Sequence, residues 1–255
     1  ITSNSPLVLF AQAGFFQKTG QNEKALRVLK AKDSLHNSYP FHYLNYLKGL
    51  SLLYKLDSNC REPLRNYLKS FNGVNYLASA WQKIAWSFLV QGDTLDYKTH
   101  IMKALEMPES AVGADKAAKN EALLGEVPNV QLLKARLLFD GGYYQQALDM
   151  LSIKDKRLHM DQAGITEFYY RKGRIYQAMG SFQKALENLK TSINLGEGLD
   201  RYFAAYAALQ SAMIYERTGD RENARRYYQL CLDMDFDEYE RSIKYKAKLR
   251  LKNLD

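Results

Sequence analysis

Residues 169–195 read YYRKGRIYQAMGSFQKALENLKTSINL. Gly180 stands near the middle, with the small residue Gly173 seven places before it and the aromatic Tyr176 four before. Ala185 follows it by five places and Leu189 by nine. Small and large residues at these offsets describe two helices joined by a tight turn. The glycine breaks the chain between them, and the small residues let the two helices approach closely. The same spacing recurs around Gly20, Gly92, Gly142 and Gly219. The small residue before the glycine is Ala13, Ala85, Ala135 or Ala212, and the large one is Phe16, Phe88, Leu138 or Tyr215. After it come Ala25, Ala147 or Ala224, with Tyr97 the exception, and then Leu29, Ile101, Leu151 or Tyr228. An internal repeat of this kind predicts an all-α solenoid of stacked hairpins, an architecture that binds other molecules more often than it catalyses reactions.

Working outward, Ser5-Pro6 is a helix start, and a helix is expected over residues 6–19, ended by Gly20. Its partner carries Ala25, Leu26 and Leu29, and Pro40 marks a boundary. The second hairpin diverges. Gly49 is its small contact residue, Asp57-Ser58-Asn59 replaces the turn glycine, Pro63 opens its second helix, and Asn72-Gly73 is a turn. The third opens near Tyr76, carries Trp81, Ala85 and Phe88, turns at Gly92-Asp93, and continues through Ile101, Ala104 and Leu105. The period then breaks, since Gly92 and Gly142 lie 50 residues apart where one repeat takes about 34. The alanine-rich stretch 109–127, between Pro108 and Pro128, is expected to hold a short inserted helix or a hinge. Regular hairpins resume with glycine spacings of 38 and 39 residues.

A last helix over about 237–251 sets Ile243, Ala247 and Leu251 on one stripe. Its other faces are basic: Arg241, Lys244, Lys246, Lys248, Arg250 and Lys252. Such a helix shields the exposed end of a solenoid. The expected organisation is therefore three hairpins over 1–107, an inserted linker over 108–128, and three hairpins plus the capping helix over 129–255. No strand pattern competes.

With 255 residues, 46% of them hydrophobic and 25% charged, the chain is long enough to bury an extensive core. The net charge of +8 and a pI near 9.2 suit an acidic or polyanionic partner, or simply solubility. Cys60 and Cys231 are too far apart in a stack of hairpins to pair, so no disulfide framework is read. No apolar run reaches the roughly 20 residues of a membrane helix. The first residue is Ile1 rather than methionine, which raises the expectation of an upstream signal peptide, tag or domain and leaves both cytoplasmic and exported locations open.

The repeat resembles the tetratricopeptide repeat. Tyr169, Gly173, Tyr176, Gly180, Phe182, Ala185, Leu189 and Ile193 fall on its consensus places, and Trp81 supplies its signature tryptophan. Six hairpins cover nearly the whole chain. No unit has the usual closing proline, and Arg221 replaces the usual aromatic after the turn. The stretch 43–93 also resembles the tetratricopeptide repeat protein 39 group, which implies no known enzymatic activity.

The resemblance implies a right-handed α-α superhelix whose first helices line a concave face. Its groove positions then include Tyr43, Tyr46, Leu50, Leu53, Tyr54, Gln82, Trp86, Leu89 and Val90 in the N-terminal half. In the C-terminal half they include Leu132, Arg136, Phe139, Tyr170, Arg174, Gln177, Tyr206, Met213 and Arg217. Arg136 and Arg174 hold equivalent places in successive units. Guanidinium groups beside aromatics suit a carboxylate- or phosphate-bearing extended peptide. Two blander readings stand beside this one: the arginines are solvated or paired with Asp140 and Glu167, and the N-terminal aromatics are buried against the inserted segment or a missing N-terminal repeat. The family's carboxylate clamp, lysine at the fifth position and asparagine at the ninth, is absent from every unit.

His36, His42, His100 and His159 form no zinc spacing, so neither metal nor cofactor is expected. Asp233, Asp235 and Asp237 mimic the start of a calcium loop, but Glu238 stands where glycine is needed and Lys244 where the bidentate Glu belongs. Gly196-Glu197-Gly198 lacks a third glycine, and no Walker loop or GxSxG occurs. The expected function is therefore a non-catalytic scaffold that binds a protein or peptide, acidic at the arginine end, on the concave face. The alternatives are nucleic-acid binding through the basic last helix, and a small-ligand module or enzyme with a pocket near 108–128.

Overall fold

The five glycines that set the repeat all adopt left-handed backbone, with φ between 68° and 92°. Glycine reaches this region without steric cost, and one such residue reverses the chain between two helices. The computed structural model describes residues 5–31, 40–152, 160–237 and 239–254; His36, His159 and Glu238 lie outside them. The described residues form fourteen α-helices and contain no strand.

Contacts divide the chain into two compact units, residues 1–143 and 144–255. In the first, α1 (Pro6–Lys18) pairs with α2 (Asn22–Lys30), α3 (Tyr43–Tyr54) with α4 (Arg61–Ser70), and α5 (Leu77–Leu89) with α6 (Thr94–Met102). The segment that breaks the period contains α7 (Gly113–Leu124), which packs on α5 and α6; α8 (Val130–Asp140) packs on α3. In the second unit, α9 (Tyr144–Met150) precedes the hairpins α10 (Gln162–Ala178) with α11 (Phe182–Leu195) and α12 (Phe203–Thr218) with α13 (Arg221–Asp233). The last helix, α14 (Glu240–Lys252), closes it against α13 and α12.

The small residues do what their spacing suggests. Ala13, Ala25, Ala85, Ala147, Ala185, Ala212 and Ala224 are all fully buried. A Cβ on Gly173 would meet the Leu189 side chain of α11 at 2.6 Å, so a larger residue there would push the hairpin apart. The second hairpin turns without glycine because Leu56 takes the left-handed place, at φ 61°. That costs about 1–2 kcal/mol. The Asp57 carboxylate steadies the turn by accepting from the Asn59 N–H at 2.9 Å. Two boundaries differ from the periodicity. α6 ends at Met102, which leaves Ala104 and Leu105 in the turn beyond it. The last helix begins at Glu240, because Tyr239 is left-handed and cannot sit inside a helix.

Candidate partner-binding surface

In the N-terminal unit the chain's own helices cover the positions expected to line a groove. Asp115 of α7 is almost completely buried. Its carboxylate accepts from the backbone N–H groups of Tyr76 at 2.6 Å and Ser79 at 2.9 Å. These are orphan donors at the start of α5, so a residue 39 positions downstream in sequence supplies that helix's cap. Six residues further along α7, Glu121 accepts from Trp86 Nε1 and Gln82 Nε2, each at 2.7 Å, and from the Tyr97 hydroxyl at 2.9 Å. Burial and this carboxylate push the Tyr97 phenol far above its usual range. The sequence gives little warning of this. Asp115 and Glu121 sit among alanines and lysines, and only their depth in the fold distinguishes them from surface carboxylates.

α8 completes the cover. Its Leu133 and Leu137, with Ala122 of α7, form one apolar cluster with Leu53, Ala85, Trp86, Leu89 and Val90. The expectation that Tyr46, Tyr54 and Trp86 line an open face is therefore corrected. Trp86 is buried and Tyr54 half-buried in the cluster that α7 and α8 complete, and Tyr46 is buried in a second cluster, among Leu9, Leu29, Tyr67 and Ile84 of α1, α2, α4 and α5. Tyr46 shares a buried hydrogen bond with Ser79 Oγ at 2.9 Å. Arg136, on α8, ion-pairs with Asp140 at 4.0 Å, and its guanidinium lies 5.0 Å from the Trp86 ring. The Lys83 amine lies 3.8 Å from the same ring. Burial, and then the Arg136 charge, bring its amine down to about 7. Phe139 is half-buried on α8.

In the C-terminal unit the first helices bring polar and aromatic side chains together. Tyr170 and Tyr206 stack at 5.8 Å with 27° between their rings. Arg174 donates to the Tyr170 hydroxyl at 3.2 Å and lies 5.6 Å from the Tyr206 ring. Burial opposes the Arg174 charge, but the two tyrosines outweigh it and hold the guanidinium above the usual arginine range. Glu167 bonds to Arg171 rather than to Arg174, at 2.6 Å. Tyr206, Gln177 and Met213 are half-buried; Arg217 is exposed and stands 5.1 Å from the Phe182 ring. Tyr170 is the buried member, so it positions Arg174 more than it offers a surface. The equivalence of Arg136 and Arg174 is thus one of sequence place, and their surroundings differ.

Residues 165–235, which hold α11, α12, α13 and all but the first three residues of α10, match the family model of the tetratricopeptide repeat. Residues 165–235 are tetratricopeptide repeats. No curated protein matches the chain. In these repeats the turn glycines Gly180 and Gly219 and the buried alanines hold their consensus places. Among the described residues no three His, Cys, Asp or Glu side chains gather as a ligand set for a metal. No described helix is long and apolar enough to cross a membrane.

Proposed function

We propose that the chain is a non-catalytic scaffold that binds a protein partner, and that the tetratricopeptide repeats of its C-terminal unit carry the binding face. The observation behind this reading is the cluster of Arg174, Tyr170 and Tyr206, in which a guanidinium is oriented by a hydroxyl and an aromatic ring before any partner arrives. Pre-ordering such a side chain saves entropy on binding, and arginine beside tyrosine is the composition of an interaction hot spot. Gln177, Met213 and Arg217 extend the face along α10 and α12. The partner that suits it is an extended segment with a carboxylate aligned on Arg174 and apolar side chains on Tyr206 and Met213.

The test is affinity capture from source-cell lysate by the full chain, by Arg174→Glu and by Arg136→Glu. A protein kept by the parent chain and by Arg136→Glu but lost by Arg174→Glu supports the face on α10 and α12. A protein kept equally by all three removes that face from the proposal.

A further inference from the structure

Among the described residues, α14 packs chiefly on α13 and α12, using Ile243, Ala247, Leu251 and Leu254. Arg250 reaches back to Glu216 at 3.0 Å, and Arg225 donates to the Leu254 carbonyl at 2.7 Å. At 100° per residue, the side opposite this stripe holds Arg241, Tyr245, Lys248, Leu249 and Lys252. All five are exposed, Tyr245 to 66% and Leu249 to 48%. Lys244 pairs with Glu240 and Asp235, and Arg250 with Glu216. Arg241, Lys246, Lys248 and Lys252 make no ion pair with the described residues. The face therefore has three cations, Arg241, Lys248 and Lys252, without an ion pair among the described residues, around two apolar side chains placed four residues apart.

Three kinds of anionic partner suit the charge, and the apolar pair separates them. A partner helix needs an apolar seam sustained over several turns. Here Arg241 and Lys252 cut the seam on either side of Tyr245 and Leu249, and α14 presents a ridge rather than a groove. A nucleic-acid backbone asks for cations alone and gives Leu249 nothing to contact. An anionic bilayer surface uses both parts. The tyrosine ring and the leucine settle at headgroup depth, and the lysine and arginine stems lie along the surface with their charges among the phosphates.

We propose that the outer face of α14 is a peripheral docking site for anionic phospholipid bilayers, independent of the face on α10 and α12. The test is co-sedimentation of the full chain with phosphatidylcholine vesicles, with or without roughly 30% phosphatidylserine. Binding to the anionic vesicles alone is expected, weakening as salt screens the charges. Lys248→Gln/Lys252→Gln should weaken it about fivefold for each cation removed. Tyr245→Ser/Leu249→Ser should weaken it severalfold at unchanged charge. All four positions are exposed, so both variants keep their helical circular dichroism. The proposal fails if the parent chain does not sediment with anionic vesicles, or if either variant binds as the parent does. It also fails if duplex DNA binds the parent more tightly than the vesicles do and is indifferent to the Tyr245 and Leu249 changes, because the face then serves a nucleic acid.

Discussion

Replacing Asp115 with alanine removes the cap of α5 without touching α5 itself. Two hydrogen bonds disappear, from the N–H groups of Tyr76 and Ser79. A bond to a charged acceptor contributes about 1.5–3 kcal/mol net. The Tyr76 N–H is only partly buried and can turn to water; the Ser79 N–H is buried and is left without an acceptor. The loss of an N-cap alone costs about 1 kcal/mol. Together these give about 3 kcal/mol for Asp115→Ala. The assay is urea unfolding followed by tryptophan fluorescence. Both tryptophans, Trp81 and Trp86, lie on α5, so the signal reports the N-terminal unit by itself. Asp115→Asn keeps the volume and one acceptor oxygen, but turns an amide toward the second N–H, so about half the loss is expected. An alanine variant within about 1 kcal/mol of the parent would refute the capping argument. So would an asparagine variant as unstable as the alanine one.

Lys83 should make stability depend on pH. Its amine titrates near 7 in the fold and near 10.4 when unfolded. The unfolded chain therefore binds more protons between these values, and stability should rise with pH across that window by up to about 1.4 kcal/mol per unit. Lys83→Met should abolish the rise and stabilise the protein at pH 7; an unchanged slope would contradict this. A Cβ on Gly142 would collide with the Gly20 carbonyl oxygen, whereas one on Gly92 would meet open space. Gly92→Ala should then cost only the left-handed backbone, about 1–2 kcal/mol, and Gly142→Ala distinctly more. Equal costs would mean that the two turns are not closely packed. Burial pushes the thiols of Cys60 and Cys231 up to about 11 and about 12. At pH 8 both should resist a thiol reagent until denaturant is added; rapid labelling of either in the native protein would show that its surroundings open.

What was legible in the sequence is what repeats. The glycine and alanine places are set by contacts within one hairpin, which recur every time a hairpin is built, so Gly180, Ala185 and Leu189 carry their meaning locally. Leu56 was not legible, because a left-handed leucine follows from the packing of its turn rather than from any preference of its own. Nor were Asp115 and Glu121, whose partners lie some 24 to 39 residues away on α5 and α6. In the candidate site, the four-residue step from Tyr170 to Arg174 does announce their contact. The N-terminal aromatics misled for the opposite reason. Trp86 has the spacing of an open groove in a regular solenoid, and a regular solenoid contains nothing like α7, whose Glu121 accepts from its indole; Tyr46 is covered instead by its own and neighbouring hairpins.

The long-distance cap on α5 also limits how the protein can be dissected or can change over time. An insertion between repeats is ordinarily the segment that can be shortened, exchanged or deleted, because its neighbours are complete without it. Here the neighbours are not. A fragment ending at residue 107 would leave α5 without its cap, Trp86 without its acceptor, and the apolar cluster around Leu89 open to water. The compact N-terminal unit accordingly extends past the insertion, through α8 to Tyr143. The extra helix has become as indispensable as the repeats it interrupts.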